Sequence, residues 1–227
     1  MLARIRGALG RGPDAAAPEE LPPFSPSAAH VEQGDDVGLF REMLVHAGAR
    51  VREARTAEEA AEYIAGLLPR GAPGKVAVSD GAERTAGGLR ASLTHSGLAV
   101  VPTLREYEAA GGSPEQYLGE LLTAAAGVTG ARHAVAATGT LVLDSGDEHS
   151  RLISLVPPVH VCLVRPSSIL TDLETLCARA AARGEVPAAL TLVTGPSRTA
   201  DIEQTLTVGV HGPGELHVLL YAGGATL

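Results

Sequence analysis

Residues 75–101, KVAVSDGAERTAGGLRASLTHSGLAVV, decide the fold class of this chain. The apolar run 75–79 is followed by Asp80-Gly81, by a segment with helical spacing to about Leu93, and by a second apolar run at 98–101. A strand, a helix and another strand in this order are typical of two parallel strands joined by a crossover helix. The stretch therefore predicts a parallel sheet covered by helices.

The alternation continues on both sides of this unit. Helical spacing covers 39–47, Thr56 caps a second predicted helix, and Pro114 opens a third that reaches about residue 126. Beyond residue 133 the pattern predicts one helix, with Leu170, Leu173 and Cys177 on its inner face, and short strands at 133–137, 139–143, 152–156, 159–164, 190–194, 205–210 and 216–221. We predict a mostly parallel sheet with helices on both faces and an antiparallel extension.

The N-terminal region differs in composition from the rest. Residues 2–9 have the spacing of a short amphipathic helix, and residues 12–26 contain five prolines, which favour a semi-extended arm. This segment is either a loosely ordered tail or an arm that docks on a partner subunit. The predicted domain organisation is a helix and proline-rich arm over 1–35, followed by a single α/β domain over 36–227.

Charge and cysteine content exclude several classes of protein. The net charge of −8 and the absence of tryptophan argue against nucleic-acid binding. Lys75 is the one lysine, and it lies outside any Walker-type phosphate loop. Cys162 and Cys177 are too few for a disulfide scaffold or a four-cysteine iron–sulfur cluster. With no apolar run of about 18 residues and no secretory signal over residues 1–11, we expect a cytoplasmic protein with no membrane span and no cofactor of its own.

The densest polar segment is 194–213, TGPSRTADIEQTLTVGVHGP, which follows an apolar run predicted to be a buried strand. We predict one helical turn at 199–204 with Ser197 or Thr199 as its N-cap, which leaves backbone N–H groups free to bind an anion. The alternative is a capped turn that serves stability alone. The candidate ligand-binding residues here are Gly195, Ser197, Arg198, Thr199, Asp201, Glu203 and His211.

A second candidate is Thr138-Gly139-Thr140, where a glycine between two apolar runs lets the backbone approach a ligand closely, or else forms a β-bulge. Residues 144–151 are interpreted as a solvated polar loop. No metal-ligand spacing joins Asp201, Glu203 and His211, and neither a nucleophile elbow nor a dinucleotide fingerprint is present. We assign no metal site and no catalytic residue.

Four motifs resemble the lactate-utilisation protein C (LutC/YkgG) family, the LUD-domain class. They are ATGTLVL at 137–143, RLISLVPPVH at 151–160, GPSRTADIE at 195–203 and GVHGP at 209–213. Many relatives carry a glutamate where this chain has Ala137. The resemblance implies a Rossmann-like three-layer α/β fold similar to the sugar-phosphate isomerase/CoA-transferase and formyltetrahydrofolate cyclo-ligase group.

The resemblance also implies a function. It points to an accessory subunit of L-lactate oxidation to pyruvate, which binds a small anionic metabolite, iron–sulfur partner proteins, or both, with the clusters in the partners only. The alternative is a stand-alone enzyme or binding protein for a sugar phosphate, CoA ester or nucleotide, for which scaffold likeness alone is weak support.

Overall fold

The central sheet has six parallel strands. The computed structural model describes residues 35–68, 74–148, 150–182, 188–200, 206–208 and 212–223. Each neighbouring pair of strands in this sheet is parallel. The strands are β1 (Arg50–Ala54), β2 (Lys75–Val78), β3 (Ala99–Val101), β4 (Ala126–Gly130), β7 (Val159–Val164) and β12 (Glu215–Tyr221), in the spatial order β1-β12-β7-β4-β2-β3.

A smaller mixed sheet contains the antiparallel extension that the sequence predicts. Its order is β8-β5-β6-β9; β6 pairs antiparallel with β5 and β9, and β5 pairs parallel with β8. A separate antiparallel ladder joins β10 to β11. The bounds are β5 (His133–Val135), β6 (Thr140–Asp144), β8 (Ile169–Leu170), β9 (Leu190–Val193), β10 (Arg198–Ala200) and β11 (Leu206–Val208).

Short polar side chains set the starts of many helices. Asp35, Thr56, Ser79, Thr103 and Ser113 each accept a hydrogen bond from a backbone N–H of the helix that follows, as N-cap residues do. The α-helices are α1 (Asp36–His46), α2 (Ala57–Leu67), α3 (Asp80–Thr85), α4 (Leu89–His95), α5 (Leu104–Ala109), α6 (Pro114–Leu122), α7 (Ser145–Glu148) and α8 (Leu173–Ala182).

Apolar side chains on both faces of the parallel sheet produce three layers. On one face, Ile64 of α2 and Leu89 and Leu93 of α4 pack against the sheet residues Val128 and Val161. On the other face, α1 and the mixed sheet pack through Phe40, Leu44, Ala134 and Leu141, and α6 packs through Tyr117 and Leu121. The three-layer Rossmann-like α/β architecture is therefore confirmed.

Three local predictions were wrong. The predicted helix at 80–93 is two helices, because the Gly87-Gly88 pair separates α3 from α4. The predicted helix from Pro114 ends at Leu122 rather than at about residue 126, and residues 126–130 form the buried strand β4, where small residues let neighbouring backbone approach closely, as Gly127 does with Ile153. Residues 151–154 form a 3-10 helix rather than a strand, with Leu152 and Leu155 partly exposed.

Two other predictions concern the N-terminal arm and the absence of a membrane span. The arm over residues 1–35 lies almost entirely outside the described residues, so the domain division stays a prediction. Within the described ranges, no helix combines the length and the apolar character that crossing a bilayer requires.

Candidate functional site

A cavity of about 690 Å³ lies at the ends of three parallel strands, β2, β4 and β7. The carboxyl edge of a parallel sheet is the usual place for a ligand in α/β folds. We call this space the arginine cavity. Its lining residues are Gly81, Arg84, Thr85, Gly130, Ala131, Arg132, His133, Asp147, Arg165 and Arg179.

Ion pairs and hydrogen bonds hold three of its arginines in place. Arg132, just beyond β4, donates from Nη1 to Asp147 Oδ2 at 2.6 Å. Arg84 on α3 reaches the other oxygen of the same carboxylate at 3.0 Å. Arg165, just beyond β7, donates to the carbonyl oxygen of Thr85 at 2.7 Å. Guanidinium groups suit carboxylates and phosphates because their N–H groups match two anionic oxygens at once.

Glu148 lies behind the wall of the arginine cavity, at the end of α7. It is 3% exposed; its Oε1 accepts a hydrogen bond from the Gly130 N–H at 3.3 Å, and its Oε2 has no partner among the described residues. Burial raises the pKa of this carboxyl to about 7, and Asp147 acts in the same direction, whereas the Ser79 hydroxyl, the Gly130 N–H and Arg84 lower it. A carboxyl that titrates near neutrality beside an arginine cluster is typical of a functional site.

The wall between Glu148 and the cavity is backbone. A Cβ at Gly81 would collide with Glu148 Oε1, and a Cβ at Gly130 would collide with the backbone of Gly81. Because both glycines line the cavity, the carboxyl of Glu148 and the cavity are separated by little more than one thickness of chain.

The sequence reasoning missed this site. Residues 144–151, interpreted as a solvated loop, include the short helix α7, in which Asp147 lines the cavity and Glu148 is buried. One signal was available: polar residues mark the ends of the buried strands β2 and β6, with Ser79 directly after β2 and Asp144 as the last residue of β6. The arginines themselves form no motif.

Thr138 and Gly139 connect β5 to β6, which begins at Thr140, and Gly139 lies close to helix α1. Gly139 has a φ of +62°, and a Cβ there would lie 2.7 Å from the backbone nitrogen of Leu44. This glycine therefore allows close packing of α1. The three residues are not in the lining of the arginine cavity, and a role in ligand binding stays a prediction.

A chain of three hydroxyls ties this turn to β9. Thr140 Oγ1 lies 2.7 Å from Thr138 Oγ1 and 2.7 Å from Thr194 Oγ1.

Replacement of the buried Thr140 by valine keeps its shape and removes both hydrogen bonds, so we expect a loss of about 1–2 kcal/mol in the free energy of unfolding. Urea unfolding measures it. The exposed Thr94→Val is the matched control, and an equal cost in both variants would contradict the structural role of the hydroxyl chain.

The segment 194–200 has a different structure from the one predicted. Its preceding strand, β9, is at the edge of the mixed sheet, with Leu190 41% and Leu192 51% exposed, so it is not buried. Arg198–Ala200 forms β10, which pairs with β11, in place of the start of a helical turn. The strand β11 pairs with β10, so residues 198–200 are extended and do not begin the predicted helical turn.

Gly195 and Ser197 line a second cavity, of about 230 Å³. It also includes His160 and Leu216, near the starts of β7 and β12, so it lies at the amino edge of the sheet, opposite the arginine cavity. His160 is 1% exposed and its Nε2 lies 2.8 Å from Thr129 Oγ1; burial lowers its pKa to about 4. This histidine is therefore neutral at pH 7.

Arg198 caps helix α1. Its Nη2 donates to the carbonyl oxygen of Ala47 at 2.8 Å.

We expect Arg198→Ala to lower the free energy of unfolding by about 0.5–1 kcal/mol, because one C-terminal carbonyl of α1 loses its partner and a favourable charge. Thermal unfolding measures this, with the exposed Arg52→Ala as control. If Arg198 also binds the anion, as predicted from sequence, the variant will lose anion affinity as well.

The remaining predicted residues give less information. Thr199 lies in β10, and Asp201, Glu203 and His211 lie outside the described residues. Within the described part of the chain, no group of three or more histidine, cysteine or acidic side chains is placed to hold a metal ion.

Most of the chain is similar to known proteins. The LUD domain model matches residues 37–221. Lactate utilization protein C of Deinococcus radiodurans is 29% identical over 213 residues, which cover 93% of this chain and 91% of the relative. An uncharacterised protein of Neisseria meningitidis serogroup B is 43% identical over 100 residues, and this match spans only 41% of either chain.

Among solved structures, a DUF162 family protein from Deinococcus radiodurans is similar. Its TM-score is 0.57 at 28% identity, over 82% of this chain and 96% of that one. The similarity extends over most of both chains, so it bears on the fold as a whole.

Proposed function

This chain belongs to the LUD-domain family, and we propose that it serves in lactate utilisation by binding a small anionic metabolite in the arginine cavity. The observation that carries the proposal is the convergence of Arg84, Arg132 and Arg165 at the carboxyl edge of the sheet. In a chain with a net charge of −8, such a cluster makes a local site that attracts anions.

The ligand class follows from guanidinium chemistry and from the relatives. L-Lactate and pyruvate each carry one carboxylate, which an arginine can bind through two parallel hydrogen bonds. The name of the Deinococcus relative, lactate utilization protein C, is the reason for placing these two acids first.

Isothermal titration calorimetry tests this function. We expect L-lactate and pyruvate to bind, and lactamide, which has the same shape without the negative charge, to bind far more weakly. Affinity is expected to fall with added salt, because screening weakens the attraction of an exposed cluster. Equal binding of lactamide, or no binding of any anion, would overturn the proposal.

The volume of the cavity favours a second candidate. A space of about 690 Å³ is in the range that holds drug-sized ligands, and a three-carbon acid fills only a small part of it. A sugar phosphate, CoA ester or nucleotide would use the same arginines through its phosphates. Thermal-shift measurements against these compounds decide between the candidates: a larger shift with a phosphorylated ligand than with lactate or pyruvate favours the second.

The subunit role is part of the proposal. Lactate oxidation releases electrons, and Cys162 and Cys177 cannot supply the ligands of a four-cysteine cluster, so iron–sulfur partner proteins would carry them. Affinity purification of the tagged chain from cells grown on lactate is expected to recover such a protein. Unchanged growth on lactate after gene deletion, together with no iron–sulfur partner, would contradict this role.

A further inference from the structure

We infer that Glu148 takes up a proton when an anion occupies the arginine cavity, so that the cavity binds an anion and a proton together. The inference deepens the proposed function and rests on it, because it takes the anion site as given. It assigns a role to a buried acid that the arginine cluster alone does not explain.

The geometry places Glu148 close to any bound anion. Gly81 and Gly130 touch its carboxyl on one side and line the cavity on the other. The group is 3% exposed, and Oε2 has no hydrogen-bond partner among the described residues. Water therefore screens it poorly, and an anion in the cavity would repel an ionised Glu148 through a thin, low-dielectric wall.

The groups around Glu148 leave it able to titrate. Asp147, on the same helix, favours the protonated carboxyl, and Arg84 on α3 favours the ionised one. The arginines are partly occupied, since Arg84 and Arg132 both pair with Asp147. Arg132 also lies 3.7 Å from a carboxylate oxygen of Asp144.

The uncharged groups around Glu148 either favour its ionised form or leave its pKa unchanged. The Ser79 hydroxyl, at the end of β2, and the Gly130 N–H, at the end of β4, both favour the ionised carboxyl. From β7, the Cys162 thiol has a pKa raised to about 12 by burial, so it stays neutral. No neighbour in this described shell locks Glu148 into one state.

The linkage between proton binding and anion binding determines how anion affinity changes with pH. The pKa of Glu148 in the free protein is about 7, and a nearby negative charge raises the pKa of a carboxyl further. At pH 7 the free carboxyl is about half protonated, so complete protonation on binding takes up about half a proton per site. By reciprocity, anion affinity is highest below pH 7 and falls by up to about tenfold per unit as the pH rises through the window just above it.

The experiment measures proton uptake directly. L-Lactate, pyruvate and sulfate, none of which changes its protonation near pH 7, are titrated into the full chain by calorimetry at pH 7, in several buffers of different ionisation enthalpy, and the slope of observed heat against that enthalpy gives the protons taken up. The variant Glu148→Gln keeps the size of the side chain and cannot titrate. The matched control is Glu108→Gln, at an exposed position of α5.

The outcomes separate the inference from the function beneath it. We expect about half a proton of uptake in the wild type and in Glu108→Gln, and none in Glu148→Gln, whose affinity is then nearly independent of pH between 6 and 8. Anion binding with no uptake, or with the same uptake in Glu148→Gln, overturns the inference and leaves the proposed function standing. No binding of any probe to any of the three proteins overturns both.

Discussion

Replacement of Arg132 by glutamine is expected to weaken anion binding to the arginine cavity by about ten- to a hundredfold, because a hydrogen bond to a charged group is worth about 1.5–3 kcal/mol. Arg132 is the best-held cation of the site, with a 2.6 Å contact to Asp147 and a second carboxylate, Asp144, nearby. Its loss removes one guanidinium and leaves both aspartates less compensated, so the cavity repels the ligand it had attracted. Calorimetric titration with the tightest-binding anion measures the change.

Two further variants make this measurement specific. Arg52→Gln changes the net charge equally at an exposed position of β1, and it should leave affinity within about twofold, because β1 is the edge strand beyond β12 and salt screens exposed charges. Arg132→Lys keeps the charge without the planar fork and should recover only part of the affinity. If Arg132→Gln is folded, by circular dichroism, and binds like the wild type, the arginine cavity is not the anion site.

Replacement of Glu148 by glutamine is expected to raise the free energy of unfolding, relative to the wild type, more at pH 8 than at pH 5. In the unfolded chain this carboxyl has its ordinary pKa of 4.5, whereas in the folded protein burial raises its pKa to about 7. A raised folded-state pKa gives stability that is complete below the unfolded pKa and is lost as the pH rises through 7. The wild type therefore loses about 2–3 kcal/mol between pH 5 and pH 8 through this residue, and Glu148→Gln does not.

Thermal unfolding at the two pH values checks this expectation. The difference in melting temperature between Glu148→Gln and the wild type should be larger at pH 8 than at pH 5 by about 5–10 °C for a chain of this size. Comparison across pH removes the constant cost of burying an amide. The same difference at both pH values would mean that Glu148 is ionised or neutral throughout, and that its burial has no linkage to protons.

Much of the fold could be predicted because its signals are local. The Thr56 cap, the proline that opens α6 and the apolar run of β2 each act through residues a few positions away. Errors arose where distant packing decides the local structure. Residues 126–130 are rich in alanine and glycine, and they form a central strand because the neighbouring strands and Ile153 need a thin element there.

The candidate site could be predicted much less well. Residues 194–213 are the densest polar segment, and they were predicted to bind a ligand. In the structure Arg198 caps α1, and Gly195 lines a smaller cavity at the opposite edge of the sheet. Polar density alone does not distinguish a residue that binds a ligand from one that satisfies a helix end, since both need the same donors.

Local signals were enough to predict the family, the α/β class and the positions of most helices and strands, because motifs, caps and apolar periodicity are contained within short segments. The meeting of the arginines depends instead on contacts between distant parts of the chain. Arg84 and Arg165 are 81 positions apart, and Arg165 donates to the Arg84 carbonyl at 3.2 Å. They converge with Arg132 on the arginine cavity because β2, β4 and β7 are parallel neighbours, whose carboxyl ends must lie at one edge of the sheet.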